Sequence, residues 1–419
     1  MRLGQARRGV LQMMSSQVSV AIFQGLQFLL IARSLGAHEF GRMAGVLAIT
    51  SALLPFSGLG AGSVAIMRIS RKELAPSVCY GNALLTAAVS GLLLVAVCTF
   101  LGPVFLRDPS LQTAILVFAV SELMVTKFVD ISGQIHLGMD RPAFAGGSLA
   151  LHSLVRALMA LVFFVASPSG GVMTWAWFHL AAGLISLIVV SLLTISQTGR
   201  PAPSIAGSVG EIRTGVFFSI GLSSKSVYTD IDKAVLARYA SPEISGAYTA
   251  AFRVIYMAFT PIMALMIAMQ TRIFREGAAR GLPATVGFSN RLVRYGLVYC
   301  LAFAVLVFIL APMVMWALGQ GFALSTEIVK TLAFLPVALM VQSVYSDALM
   351  GADRQRIRSV AQVTVALLCF GLNMWLVPRM SWHGAVVSTY ASQLVLVALV
   401  GGIIAFSLQR EDGRSGKRP

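Results

Sequence analysis

The stretch Ala32-Arg33-Ser34-Leu35-Gly36-Ala37-His38-Glu39-Phe40-Gly41 returns half a chain later as Ala237-Arg238-Tyr239-Ala240-Ser241-Pro242-Glu243-Ile244-Ser245-Gly246. The echo continues outward, with Pro55, Arg68 and Arg71 answered by Pro261, Arg272 and Arg275 at offsets of 204 to 206. A second pair, Leu123-Met124-Val125 with Gly138-x-Asp140-Arg141, matches Leu339-Met340-Val341 with Gly351-x-Asp353-Arg354. The chain therefore reads as two copies of one helical unit. Internal repeats of this kind are a recurring plan for proteins that move a substrate across a bilayer between their halves.

Composition sets the class. Hydrophobic residues make up 57% of the chain and charged residues only 11%, which fits a polytopic membrane protein. Apolar runs of about 20 residues, the length that crosses a hydrocarbon core as a helix, recur twelve times. They lie near 10–32, 43–66, 81–104, 112–134, 147–167, 173–195, 213–236, 247–270, 292–313, 326–349, 359–378 and 384–407. The alternation of a membrane barrel is missing, so the spans are helices whose backbone bonds close within each segment. The expected fold is an all-α membrane protein of about twelve transmembrane helices, in two six-helix repeats around a central cavity. Residues 1–200 form the N-terminal lobe and 212–419 the C-terminal lobe with a short basic tail. The Pro-, Ser- and Gly-rich stretch 201–211 reads as a cytoplasmic linker.

The net charge of +16 does not point to nucleic acid, because the basic residues sort by side. With the N-terminus inside, most fall in cytoplasmic loops, and the other side receives Arg33, Arg42, Arg107, Arg238 and Arg379. The positive-inside rule then puts both termini in the cytoplasm. Trp175, Trp177, Trp316, Trp375 and Trp382 lie near the outer face, where an aromatic belt accounts for them. The first span is too polar for a signal-peptide core and is expected to be retained. Cys79, Cys98, Cys300 and Cys369 are scattered singly, as helix-packing thiols. Neither they nor the five histidines have a metal spacing, and no cofactor is expected.

Polar residues inside the spans carry the chemistry. Ser219, Ser223, Ser226, Asp230 and Lys233 follow at steps of four and three, one face of a helix. Thr249, Arg253, Tyr256 and Thr260 do the same in the next span. Gln17, Gln24 and Gln27 in the first span, Lys127, Asp130 and Gln134 in the fourth, and Ser148, His152 and Arg156 in the fifth complete a wet cavity. An ion near the bilayer centre costs about 2.5–3.5 kcal/mol, so each needs a partner or water. Lys127 has Asp130 and Lys233 has Asp230 three positions away, spacings that permit local pairs. Arg156, Lys225 and Arg253 have no acid three or four positions away on their own helices. They are candidates for holding an anion, with Glu122 and Asp232 on other helices as the competing partners. Pro55 and Pro261 occupy matching places and Pro336 interrupts the tenth span, so each is a candidate hinge.

The run Gln27 to Gly36 followed by Glu39-Phe40-Gly41, and the stretches Asp230 to Leu236 and Gly246 to Arg253, resemble the polysaccharide-repeat flippases of the multidrug/oligosaccharidyl-lipid/polysaccharide exporter superfamily. That resemblance implies alternating access and a lipid-linked oligosaccharide substrate. The chain lacks the two additional C-terminal helices expected of a lipid II flippase. It would move a polyprenyl-pyrophosphate-linked repeat unit from the cytoplasmic to the periplasmic leaflet of a bacterial inner membrane, for O-antigen, capsule or exopolysaccharide synthesis. Arg156, Lys225 and Arg253 would hold phosphate, and Gln24, Gln27, Ser223, Ser226 and Tyr256 would bind sugar. An inside-negative potential favours export of an anion by about 2.3 kcal/mol per charge per 100 mV. Coupling to a proton or sodium counter-ion would add to it through Glu122, Asp130, Asp230 or Asp232. Polysaccharide polymerase or export machinery are the expected partners. The alternatives are an ion-coupled multidrug exporter of the same superfamily, disfavoured by five intramembrane cations against four acids, a major-facilitator transporter, whose basic loop motif belongs between spans two and three, and a membrane polymerase or ligase, disfavoured by short outer loops.

Overall fold

The computed structural model describes residues 2–167 and 170–415, and all of its regular elements are helical. Two of them run through a pair of passes each. The helix α1 (Arg2–Leu53) is broken at Gly36, whose φ of 66° places it in the left-handed region that favours glycine. After a 3-10 turn, Leu54–Phe56, the second pass ends as α2 (Ala61–Ser70). Next come α3 (Pro76–Leu106), α4 (Gln112–Ala119), α5 (Lys127–Gly138), α6 (Pro142–Ala166), α7 (Val172–Thr198) and α8 (Ile205–Tyr239). The long α9 (Pro242–Leu310) breaks at Gly281, φ 70°. A short α10 (Pro312–Leu318) precedes α11 (Ala323–Leu332) and α12 (Leu335–Gly351), which bend by 51° into one pass. The hairpin α13 (Gln355–Met380) and α14 (Trp382–Ser415) closes the order. The protein is thus an all-α polytopic membrane protein whose helices follow the twelve expected spans.

Among the described residues, seven helical stretches are long and apolar enough to cross a membrane, or eight with the bent pair, and the stretch Ser15–Ser70 holds the first two passes. The passes that fall short are α4 with α5, α8, and the first part of α9. These carry Glu122, Lys127, Asp130, Lys225, Asp230, Asp232, Lys233 and Arg253.

The three candidate hinge prolines behave differently. Pro55 sits in the 3-10 turn, followed by positive φ at Gly58, Leu59 and Gly60, so the second pass is broken there. The backbone freed by the break is satisfied by neighbours: the Ser57 hydroxyl donates to the Leu123 carbonyl, and the Gly58 N–H donates to Ser90 Oγ at 2.7 Å. Pro261, its repeat partner, lies inside α9 without a break. The residues after it, Ile-Met-Ala-Leu-Met, are good helix formers, whereas Ser57-Gly58-Leu59-Gly60 are not. Pro336 is at the start of α12, directly after the bend.

The chain divides into two compact units, Met1–Ser226 with Lys233–Gly246, and Val227–Asp232 with Ala247–Pro419. Of the three boundaries, two fall inside α8 and the third in the first turns of α9. Residues 201–211 are tied to the first unit: the Ala202 N–H donates to the Ser77 carbonyl at 3.1 Å and the Ser204 N–H to Asn82 Oδ1 at 2.8 Å. Helix α8 starts at Ile205, capped by the Ser204 hydroxyl. Glu211, buried at 3% exposure, receives the Asn82 amide at 3.4 Å and lies 3.6 Å from Arg68. Burial pushes the Glu211 carboxyl above its ordinary value, against the downward pulls of the Asn82 hydrogen bond and of Arg68.

Within the first unit, Ala61, Ala65, Tyr80, Ala83, Ala87, Ile131 and Ile135 form a core in which small residues let α2, α3 and α5 approach closely. At the other end Arg42 donates to Asp108 at 3.0 Å and to Glu39 at 2.8 Å, and Glu39 caps α7 through the Val172 N–H at 2.8 Å. In the second unit, Val365, Cys369, Leu396, Val400 and Leu349 fill the core. Leu92, Phe100 and Val104 on α3, and Val298, Val305 and Ile309 on α9, stay exposed, as side chains facing lipid should.

The aromatic-belt reading needs correction at two of the five tryptophans, Trp175 and Trp382, the latter buried at 9% exposure. Trp175 is buried at 1% exposure and packs against Phe163 and His179, whereas Trp177, Trp316 and Trp375 are exposed. Two residues along a helix are about 200° apart, so one of Trp175 and Trp177 must face the core.

Candidate functional site

In the first unit the fourth pass is wound as a π-helix from Val120 to Thr126. The Thr126 hydroxyl reaches the Ser121 carbonyl at 2.9 Å. Such wide turns recur at functional sites because they displace side chains from the regular face. Glu122 stands in this turn. Its Oε1 accepts from Arg156 Nη2 at 2.7 Å and lies 2.7 Å from His179 Nε2, while the same guanidinium nitrogen donates to Thr126 Oγ1 at 2.9 Å. The ring nitrogen of His179 is also 3.0 Å from Arg156 Nη2. A single ring nitrogen cannot donate to Glu122 and accept from Arg156 at once, so the two contacts alternate with tautomer. His152, one turn before Arg156, is buried with both ring nitrogens unpartnered.

This geometry answers the question left open for Arg156. Its partner is Glu122 on a neighbouring helix, the competing partner named from the sequence, so its charge is balanced within the fold. Own-helix spacing was the wrong test, since the pair joins residues 34 positions apart. His179 and Thr126 were missed. A histidine on a strongly apolar helix gives no spacing signal, and a π-turn leaves none in periodicity. Asp130 lies in the field of Lys127 and Glu122.

The serine stripe on α8 also resolves differently from the cavity face expected. Gly215, Ser219 and Ser223 recur every four residues, and a methyl added at Gly215 would strike the Leu59 carbonyl. Ser219 and Ser223 are buried, and Ser223 Oγ lies 3.4 Å from the Ala52 carbonyl. Small residues at this spacing form a helix-packing seam. Ser226 is half-buried, Gln24 is exposed and Gln27 half-buried on α1. The side chain of Lys225 lies outside the described residues.

The second unit holds another polar group. Asp232 is buried and accepts from the Tyr248 hydroxyl at 2.6 Å and from Thr389 Oγ1 at 3.4 Å. Asp230 is half-buried and Arg253 exposed, and Tyr256 stacks on Phe252 with ring centroids 5.2 Å apart. Asn373 on α13 reaches Ser388 on α14 at 2.8 Å, joining the hairpin beside Thr389.

Residues 6–271 match the polysaccharide biosynthesis protein family. The chain belongs to that family. The match covers the N-terminal repeat and runs into the C-terminal one as far as Thr271, so it includes Glu122, Arg156, His179, Asp232 and Arg253. No curated protein matches this family member. Among solved structures, an inward-facing multidrug resistance MATE family transporter of the MOP superfamily aligns with a TM-score of 0.76 at 14% identity, over 95% of this chain and 99% of that one. An outward-facing transporter of the same description aligns at 0.63 and 15% identity, over 96% of each. A MOP superfamily transporter from Pyrococcus furiosus, described as having a binding pocket of reverse polarity, aligns at 0.64 and 15% identity, over 96% of this chain and 95% of that one. These likenesses establish the fold.

Proposed function

We propose that this family member is a transporter that flips a polyprenyl-pyrophosphate-linked oligosaccharide to the periplasmic leaflet by alternating access. The observation that carries the reading is membership of the polysaccharide biosynthesis family in a chain made of transmembrane helices. Its fold is that of the MATE transporters. The membrane is the bacterial inner membrane, with both termini cytoplasmic as the basic loops direct.

Arg253 and Lys225 are assigned to the diphosphate, with Tyr256, Gln24, Gln27 and Ser226 toward sugar. The exposure of Arg253 supports its role, because a charge that meets a lipid-linked phosphate must be reachable. Arg156 is reassigned as the counter-charge of Glu122. For ion coupling, Glu122 is a poor sodium ligand while it carries two basic partners, and Asp130, Asp230 and Asp232 remain the acids for a proton or sodium ion.

The test is complementation of a strain lacking the chain, with surface polysaccharide and membrane abundance both measured. Arg253→Gln and Lys225→Gln are expected to keep parent abundance and to lower polysaccharide about 10- to 100-fold, the effect of losing a charged hydrogen bond worth about 1.5–3 kcal/mol. Arg253→Lys should restore only part, since a point charge replaces the planar fork. Parent levels of polysaccharide in both neutralised variants would remove the phosphate assignment. Dye efflux without any polysaccharide phenotype would favour the multidrug reading, which the MATE fold supports equally.

A further inference from the structure

The repeat carries an arginine at matching ends of the second and eighth passes, and the two copies treat it differently. In the first unit Arg68 lies 3.6 Å from the buried Glu211 and 3.8 Å from Glu73, and Arg71 lies 3.8 Å from the same Glu73. Both charges are answered inside that copy. In the second unit the positions that correspond to Glu73 at offsets of 204 to 206 are Gly277, Ala278 and Ala279, so no acid stands there. Among the described residues Arg272, the equivalent of Arg68, makes no ion pair. Its guanidinium lies instead over the Phe288 ring, 4.8 Å from the centroid.

Beside that arginine the second unit opens a cavity of about 450 Å³ lined by Arg272, Glu276, Ala279 and Arg280. Its one acid is held loosely: Arg280 Nη1 stands 3.9 Å from Glu276, and the Arg280 side chain is 76% exposed, a pair worth little in water. Two guanidinium groups thus face one cavity, where a phosphate can accept from both. The backbone fixes the cavity wall. A methyl at Gly277 would strike the Gly351 carbonyl, and one at Gly351 would stand 2.9 Å from the Ile273 side chain, so this part of α9 packs on the end of α12. Beyond the break at Gly281, the residues Phe288, Tyr295, Tyr299, Leu306 and Leu310 recur at steps of seven and four, one face of a helix. The last four are exposed. An apolar stripe headed by two tyrosines therefore runs from the ring under Arg272 into the bilayer, starting on the side that the basic loops direct to the cytoplasm.

We propose that Arg272 and Arg280 bind the phosphate headgroup of an anionic glycerophospholipid of the cytoplasmic leaflet, with its acyl chains along Tyr295, Tyr299, Leu306 and Leu310. The lipid supplies to the second copy the negative charge that Glu73 and Glu211 supply to the first. Basic pockets at the cytoplasmic ends of membrane helices recognise headgroups in this way. A phosphate on a membrane lipid is the chemistry recognised, and a carried polyprenyl diphosphate shares it. The bulk phospholipid is the occupant assigned here, because the stripe below the cavity is made of lipid-facing side chains.

The test titrates the full chain, purified in detergent, with phosphatidylglycerol or phosphatidylcholine and counts bound lipid by native mass spectrometry. Phosphatidylglycerol should bind at least about tenfold more tightly than phosphatidylcholine, and Arg272→Gln with Arg280→Gln should remove that preference, because the charge-assisted hydrogen bonds are lost. Arg71→Gln makes the same charge change beside an acid of the first copy and should stay within about twofold of the parent. Arg280 is exposed and tolerates replacement, so Arg280→Gln alone gives the reading if the double variant does not fold. Equal affinity for the two lipids, a preference unchanged in the neutralised variants, or an equal loss in Arg71→Gln overturns the site. Two competitors separate the sources of phosphate. Undecaprenyl diphosphate that displaces phosphatidylglycerol and is not displaced by it gives the pocket to the carried lipid and overturns the assignment, as does inorganic phosphate that competes equally well. Neither competitor should match phosphatidylglycerol. None of these readouts involves polysaccharide, so their failure leaves the transport reading untouched.

Discussion

Arg156→Gln is expected to lower the amount of folded protein in the membrane, and the loss should be repaired by changing Glu122 as well. Arg156 and Glu122 meet at 2.7 Å, both largely buried. Removing one partner of such a pair strands the other charge in a low-dielectric interior, at a cost of about 3–5 kcal/mol. That is a large part of the total stability of a folded domain. His179 remains within reach of the carboxylate, so part of the penalty is offset if the imidazole takes up a proton. Glu122→Gln should likewise destabilise, by leaving the Arg156 charge with only neutral partners, Thr126, His179 and the new amide. The double variant keeps hydrogen-bonding side chains and strands no charge, so it should recover most of the loss. Thermal unfolding in detergent, with membrane abundance in cells, measures the three variants as a double-mutant cycle. Parent-like abundance of Arg156→Gln with polysaccharide lost would return Arg156 to the substrate path.

Asn82→Leu is expected to release the start of α8 from the first unit and to do so in a pH-dependent way. The Asn82 side chain accepts from the Ser204 N–H and donates to Glu211. Leucine serves neither, and each orphaned group costs about 1–3 kcal/mol. The sign with pH follows from Glu211. Its folded-state pKa is raised by burial, so the stability it contributes is present below its unfolded pKa and is lost as pH rises through the folded one. The asparagine hydrogen bond pulls that pKa down, so losing it moves the folded value higher and widens the penalty for ionisation. The gap in unfolding temperature between parent and variant should therefore be larger at pH 8 than at pH 5. A gap that does not change with pH would show that Glu211 takes no part.

The relation between sequence and structure is uneven in an instructive way. Helices, their order and the repeat follow from apolar length and periodicity, which are properties of each segment alone, because in lipid each segment must satisfy its own backbone. Left-handed Gly36 and Gly281 end passes that hydropathy had already separated. The equivalence of Pro55 and Pro261 was legible, but not that only the first interrupts its pass, since Pro55 is followed by residues that favour positive φ. The intramembrane charges were legible as a set. Their partners were not: Glu122 with Arg156 and His179, and Asp232 with Tyr248 and Thr389, join residues on different helices.

What the sequence by itself determined is therefore local: an all-helical membrane chain, two related halves, and the residues whose burial must be compensated. The tertiary structure alone decided which of these compensate one another. It turned the serine stripe of α8 into a packing seam, Trp175 into core, and residues 201–211 into a segment held by α3. It also brought Gly41 onto Gly246, a contact that a repeat offset cannot reveal. The physical reason is common to all four. Hydropathy and helical period act along the chain over a few turns, whereas ion pairs, hydrogen bonds and glycine crossings depend on which helix faces come within a few ångströms, and that is fixed only when the helices pack.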